Sequence, residues 1–240
     1  MNAAHNSRMT FRPSPPMALV ALVALWAAAL PSLAFAQSPA PRTLEEMRLV
    51  HRDTRAYIAM LEGPARDAYQ KPDEVIRALA LKPGEAVADI GSGSGYFTLR
   101  LAQAVGDTGH VYGVDIDPDL IRYLNRRIRD SGLRNVQTVL SEPDDPLLPD
   151  RSIDRFLIVD TWHHIENQER YLALMKKLLK PGGEIVMIDY QKRELPVGPP
   201  LSMKIARADL VRQMVENGFR LAKEHTFLPY QYFLVFTVSR

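Results

Sequence analysis

The chain has 240 residues, 46% hydrophobic and 24% charged, the balance of a globular protein with room for one well-buried domain and additions. Its 30 basic and 28 acidic residues nearly cancel, which argues against a nucleic-acid surface built on surplus Lys and Arg. It has no cysteine, so disulfides, thiolate metal sites and a cysteine nucleophile are excluded.

The first segment has its own logic. Arg8 and Arg12 precede a charge-free apolar run over 17–30, followed by Pro31 and the Ala34-Phe35-Ala36 end that suits cleavage. This order reads as a secretory signal peptide over 1–36, which directs the rest of the chain to an exported, periplasmic location. The stretch 17–36 is also about the length that spans a bilayer, so an uncleaved anchor is the competing reading. Arg42, Arg48, Arg52 and Arg55 would then leave the domain on the cytoplasmic side. Without 1–36 the chain carries 28 basic and 28 acidic residues and no net charge.

After a short Ser/Pro/Ala linker, Leu44, Met47, Val50, Ile58 and Leu61 fall on one helical face that ends at Gly63. A second helix is expected from Pro72, with Ile76, Leu79 and Leu81 as its stripe. These N-terminal helices and the linker make up 37–82, and a catalytic domain is expected over 83–240. Beyond Gly84, β-rich runs alternate with helical stretches: 86–90, 110–116, 135–140, 154–160 and 184–190 between helices near 96–105, 118–130 and 167–179. That alternation predicts βαβ units and a parallel sheet. A helix over 207–217 is stopped by Gly218, and the runs 219–227 and 230–238 lie too close for a parallel crossover. They should pair as an antiparallel hairpin. The expected fold is α/β, a Rossmann-like, doubly wound, mostly parallel seven-stranded sheet with a C-terminal antiparallel hairpin.

The chemistry begins at "ADIGSGSGYF". Gly91, Gly93 and Gly95 follow the first strand, but the dinucleotide fingerprint G-x-G-x-x-G needs glycine where Tyr96 stands. Asp89 ends the strand where a pyrophosphate would approach, and like charges disfavour it there. A ligand bringing an ammonium and a carboxylate suits Asp89 and free turn N–H groups together, and S-adenosylmethionine is such a ligand. Asp115, at the end of the second strand, can accept both hydroxyls of an adenosine ribose, while Asp117 suits the cap of the helix that starts at Pro118.

"VADIGSGSGYFTLRLA" followed by "VYGVDID" resembles the first two motifs of the class I S-adenosylmethionine-dependent methyltransferases, in particular their small-molecule and quinone branch. The resemblance continues through "LSEPDDPLLPDRSID" and "LLKPGGEIVMIDY". It implies S-adenosylmethionine as cofactor, held by Asp89, Gly91, Ser92, Gly93, Gly95, Asp115, Ile116, Glu142, Pro143 and Asp160, with Glu142 on the adenine amino group. Pro143 departs from the pattern because it has no N–H to offer the ring; Asp144 is the substitute.

The resemblance also implies in-line methyl transfer, which needs alignment of three atoms above all. If the nucleophile carries a proton, "DTWHHIEN" supplies His164 and His163 as candidate bases at the carboxyl edge of the sheet, with Tyr190 a further candidate. Capping or core roles are equally natural for paired histidines. The loops 190–203 and 227–233 are expected to cover the acceptor, although Tyr232 suits simple packing. The reading is a methyltransferase acting on a small organic acceptor; a protein methyltransferase and an exported, non-catalytic S-adenosylmethionine-binding module are the alternatives. No nucleic-acid partner is expected, and contact with a membrane would come only through an uncleaved N-terminal segment. No metal is called for, and the sequence does not set the oligomeric state.

Overall fold

The computed structural model describes residues 53–239, together with Met1. The signal-like segment and the first part of the expected amphipathic helix, up to Arg52, lie outside the described residues.

Three helices open the described chain: α1 (Thr54–Leu61), α2 (Arg66–Gln70) and α3 (Pro72–Leu79). Asp53 starts α1 by accepting the N–H groups of Arg55 and Ala56. Pro72 stands at the first turn of α3, where its missing N–H costs nothing. Val75 and Leu79 of that helix are fully buried, so α3 packs as part of the core. The five-residue α2 is absent from the sequence expectation, being too short to show a period.

The alternating pattern then forms as read: β1 (Ala86–Ile90), α4 (Thr98–Val105), β2 (His110–Asp115), α5 (Pro118–Ser131), β3 (Val136–Leu140) and β4 (Ile153–Val159). A 3-10 turn (Trp162–His164) leads to α6 (Gln168–Leu178), β5 (Leu179–Tyr190), α7 (Arg207–Glu216), β6 (Phe219–His225) and β7 (Gln231–Val238). Gly218, at φ +81°, ends α7. The strand after α6 starts earlier than its apolar run: it reaches back through Lys180-Pro181-Gly182-Gly183, and its pairing with β4 shifts register there.

The sheet has seven strands in the order β3-β2-β1-β4-β5-β7-β6, parallel from β3 to β5. β7 enters antiparallel between β5 and β6, so the C-terminal hairpin is antiparallel as expected. Alternation along β4 shows how the sheet is covered: Phe156 and Ile158 face a cluster with Met175, Leu210 and Met214 of α6 and α7. Leu157 and Val159 face a second cluster with Val75, Leu101 and Val105 of α3 and α4. The parallel strands all point their carboxyl ends to one edge, and the order reverses between β1 and β4, the place where such sheets bind ligands.

Candidate cofactor and acceptor site

Three aspartates stand at that edge on adjacent strands. Asp89, next to last in β1, is 3% exposed and accepts the Thr98 hydroxyl at 2.6 Å. Burial lifts its pKa to about 6, against the opposing pull of Thr98 and Arg66. Asp115 ends β2 and accepts the Gly93 N–H at 2.8 Å and the Asp117 N–H at 3.0 Å. Burial raises it as well, against those backbone bonds. Asp160 follows β4 in a left-handed conformation, φ +53°, which Asp tolerates better than most residues. Its two oxygens accept from Gln231 Nε2, each at 2.9 Å. Burial, then the charge of Asp189, lifts it to about 7. Asp117 caps α5 through Asp119 and Leu120, as its position suggested.

The glycine turn takes an unexpected form. Gly91, Gly93 and Gly95 all have positive φ, and a side chain at Gly91 would run into Thr161. The N–H groups of Gly91 and Ser92 go to Val114 O, that of Gly93 to Asp115 and that of Gly95 to Ser92 O. These donors are therefore spent inside the protein, which corrects the expectation of free turn N–H groups. A phosphate or a ligand carboxylate therefore cannot use the N–H groups of Gly91, Ser92, Gly93 or Gly95. Ser92 and Ser94 keep buried hydroxyls without a protein partner.

A cation is brought to this edge by α2, which sequence reading missed. Arg66 lies 4.0 Å above the Tyr96 ring and donates to Leu61 O at 2.7 Å. Its charge acts on Asp89, Asp160, Tyr57, Tyr69 and Tyr190. Tyr96, the residue where a dinucleotide fold needs glycine, is thus the platform that seats α2: Arg100 stacks on it too, and its hydroxyl binds Asp67. Gln70, fully buried, accepts from Gln231 at 3.1 Å. Tyr57 of α1 is pushed up to about 12 by burial and the charge of Asp115. The one legible signal for this cover was Tyr96 itself, an aromatic in a glycine turn that has to be packed by something.

Farther out, Ile116, just beyond the end of β2, is 59% exposed, and Leu140, paired with Asp115 at the end of β3, is 50% exposed. Glu142 and Pro143 are exposed beside them, with Glu142 bridged to Asp145. Asp144 pairs with Arg170 at 3.1 Å.

The histidines part company. His163 Nδ1 lies 2.9 and 3.0 Å from the Asp189 oxygens, with side chains 2% and 1% exposed. Burial alone would lower its pKa, but the Asp189 charge and hydrogen bond lift it above the ordinary value. His164 is exposed, its ring 4.3 Å from that of His163. Tyr190 is buried and held well above the ordinary tyrosine range by burial and the charge of Asp160, with Tyr69 beside it. The loop after β5 crosses its ring so closely that only Gly198 fits. Lys204, 3% exposed, ties that loop down through Arg193 O at 2.9 Å.

A doubly wound sheet ordered β3-β2-β1-β4-β5-β7-β6, with β7 antiparallel and acids at the ends of β1, β2 and β4, is the class I methyltransferase architecture. The chain matches the family described as "Methyltransferase domain" over residues 81–227, more than half its length, and belongs to that family. It is 32% identical over 122 residues to the ubiquinone/menaquinone biosynthesis C-methyltransferase UbiE of Vibrio vulnificus, covering 50% of this chain and 46% of that one. The corresponding protein of Coxiella burnetii is 30% identical over 124 residues. The chain spans about half the length of these curated relatives. An S-adenosylmethionine-dependent methyltransferase from Aquifex aeolicus superposes with a TM-score of 0.73 at 26% identity, over 76% of this chain and 97% of that one.

Proposed function

We propose that the protein transfers a methyl group from S-adenosylmethionine to a small organic acceptor by in-line displacement. The observation that carries this reading is the charge arrangement at the sheet edge: buried Asp89 and Asp160, both under the influence of the Arg66 charge. That set suits a ligand with both an ammonium and a carboxylate and rejects a pyrophosphate. The residues fit the cofactor: Asp89 and Asp160 would take the ammonium, Arg66 the carboxylate, Asp115 the ribose hydroxyls, and Ile116 with Leu140 the base. Ser92 and Ser94 supply two buried hydroxyls without protein partners. The cofactor, when bound, supplies an electrophilic methyl on a sulfonium.

The protein's share of the chemistry is alignment, exclusion of water by α1 and α2, and removal of a proton from the acceptor where it has one. His163 suits the last role better than His164. Its Nδ1 faces a carboxylate, which fixes the Nδ1–H tautomer and leaves Nε2 as the basic atom. Tyr190, buried and held far above the ordinary tyrosine range, suits orientation rather than proton abstraction. A small acceptor is favoured over a protein one by the UbiE relatives, whose names place them in quinone biosynthesis.

Export by the signal-like segment 1–36 remains part of the proposal; its support is the charge, apolar run and Ala-Phe-Ala end. Among the described residues no helix is long and apolar enough to cross a membrane. Fractionation, with the mass of the mature N-terminus, separates cleavage from an anchor. The central test is calorimetry with S-adenosylhomocysteine and NADH: the thioether nucleoside should bind and NADH should not, and equal affinity for the two overturns the reading.

A further inference from the structure

Asp160 is held from two sides. Its backbone N–H donates to Ile188 O of β5 at 2.9 Å, which pins the left-handed turn after β4, and its carboxylate meets the amide of Gln231 at the start of β7. Gln231 is 1% exposed, a buried polar side chain at the head of a largely apolar strand. Its Nε2 donates to both Asp160 oxygens at 2.9 Å and to Gln70 Oε1 at 3.1 Å. An amide nitrogen carries two hydrogens, and here one goes to the carboxylate and one to Gln70. Turning the amide over would set its oxygen against three others, so its surroundings fix its orientation.

The chemistry of this donor matters. A neutral amide steadies a carboxylate without neutralising it, whereas Lys or Arg at the same position would compete with an incoming ammonium. Burial and the charge of Asp189 favour the protonated form of Asp160; the Gln231 hydrogen bonds, Arg66 and His163 oppose them. Gln231 thus helps to keep a buried negative charge available to a ligand.

The second hydrogen reaches the cover. Gln70 is fully buried at the last position of α2, and Lys71, at φ +46°, turns the chain into α3 just after it. The residues before the two glutamines also meet, with the Tyr69 and Tyr230 rings 6.0 Å apart. α2 is therefore fastened at both ends, by Tyr96 beneath Arg66 and by Gln231 against Gln70. One side chain stands between the cover and the acid.

We propose that Gln231 is a positioning residue for the cofactor's amino group: it aims the Asp160 carboxylate and, through Gln70, makes that aim depend on α2 being seated. This role rests on the methyltransferase reading and deepens it. Coupling of this kind is reciprocal, so a ligand that draws on Asp160 also holds α2 in place. Arg66, on the same helix, is assigned to the ligand's carboxylate, and a ligand with the amine alone separates the two effects.

The test compares S-adenosylhomocysteine with 5′-deoxy-5′-(3-aminopropylthio)adenosine, which keeps the amine and lacks the carboxylate, and with 5′-methylthioadenosine, which lacks both. In calorimetry on the full protein, the aminopropyl compound should bind about tenfold more tightly than methylthioadenosine. Gln231→Met, of similar length but without a donor, should erase most of that advantage and leave methylthioadenosine within about twofold of its parent affinity. Gln70→Met keeps the Asp160 bonds and removes the link to α2, so it should erase part of the advantage. The double variant should be no worse than Gln231→Met alone, because contacts in one chain do not add. Hydrogen exchange of the α2 amides should slow in the parent when the aminopropyl compound saturates it and stay unchanged in Gln231→Met. A residue that merely packs β7 would weaken all three ligands alike; that result, or additive losses in the double variant, overturns the assignment. If Gln231→Met does not fold, Gln70→Met decides alone: a loss confined to the two amine-bearing ligands supports the link, and no loss or an equal loss for all three ends it. Failure of S-adenosylhomocysteine to bind the parent would instead overturn the methyltransferase reading, and the role of Gln231 with it.

Discussion

Asp115 shows how one side chain can serve fold and ligand together. Its carboxylate already accepts the N–H groups of Gly93 and Asp117, which holds the glycine turn against the start of α5. A carboxylate has about four acceptor positions, so two remain for ribose hydroxyls. Asp115→Ala should therefore weaken S-adenosylhomocysteine by tenfold to a few hundredfold, since a hydrogen bond to a charged acceptor is worth about 1.5–3 kcal/mol. It should also lower the melting temperature of the free protein, a loss that a purely ligand-facing residue would not produce. Unchanged affinity would reduce Asp115 to a structural role. The His163–Asp189 pair permits a sharper separation. His163→Gln should lower turnover by about 10²–10⁴ if its Nε2 takes the acceptor proton, whereas His164→Ala should keep turnover within a few-fold. Asp189→Asn removes the charge that lifts His163, so the acid limb of the pH–rate profile should move to lower pH. A profile that keeps its limb in Asp189→Asn would assign the pair to packing.

At the scale of elements, the strands and long helices were open to sequence reading because their signals are local. An apolar run such as Phe156–Val159 is covered on both faces and reads as a parallel strand wherever it lies. The site acids followed from their place just after such runs. The cover did not. α2 has five residues, and its use depends on contacts such as Gln70 with Gln231, 161 positions apart. Gln231 sits at the start of an otherwise apolar strand, a hint whose meaning appears only when β7 is inserted beside β5. The donors of the glycine turn were misjudged for a similar reason: whether an N–H is free depends on Val114 and Asp115, which lie on another strand. The element that sequence missed offers the cleaner experiment. Arg66→Gln removes the cation that faces Asp89 and Asp160 but keeps a polar chain of similar reach. S-adenosylhomocysteine affinity should fall by tenfold or more, and 5′-methylthioadenosine, which lacks the amino-acid group, should bind variant and parent alike. Equal losses for both ligands would mean that Arg66 shapes α2 rather than meeting the carboxylate.

For the whole molecule, the buried acids couple stability, pH and ligand. Asp89 at about 6 and Asp160 at about 7 hold protons in the folded state that an unfolded carboxyl near 4 has released. Asp115 is raised in the same sense, and so is His163 above the ordinary histidine value. When the folded state binds more protons than the unfolded one, stability falls as pH rises. The stabilising protonation is complete below the unfolded carboxyl value and is lost as pH climbs through about 6 and 7. His225, lowered by burial, works in the opposite sense between its folded and unfolded values, but it is one group against several. The free protein should melt at a higher temperature at pH 5.5 than at pH 8. A ligand that brings an ammonium to Asp89 and Asp160 favours their ionised forms, so its binding should expel protons and tighten as pH rises from 6 to 7.5. Calorimetry in two buffers of different ionisation enthalpy reads that proton count directly. Release is the expected sign, and Asp160→Asn should reduce it while leaving the melting temperature less dependent on pH. Proton uptake on binding, or an affinity flat across the window, would show that these carboxylates do not meet the ligand's amino group.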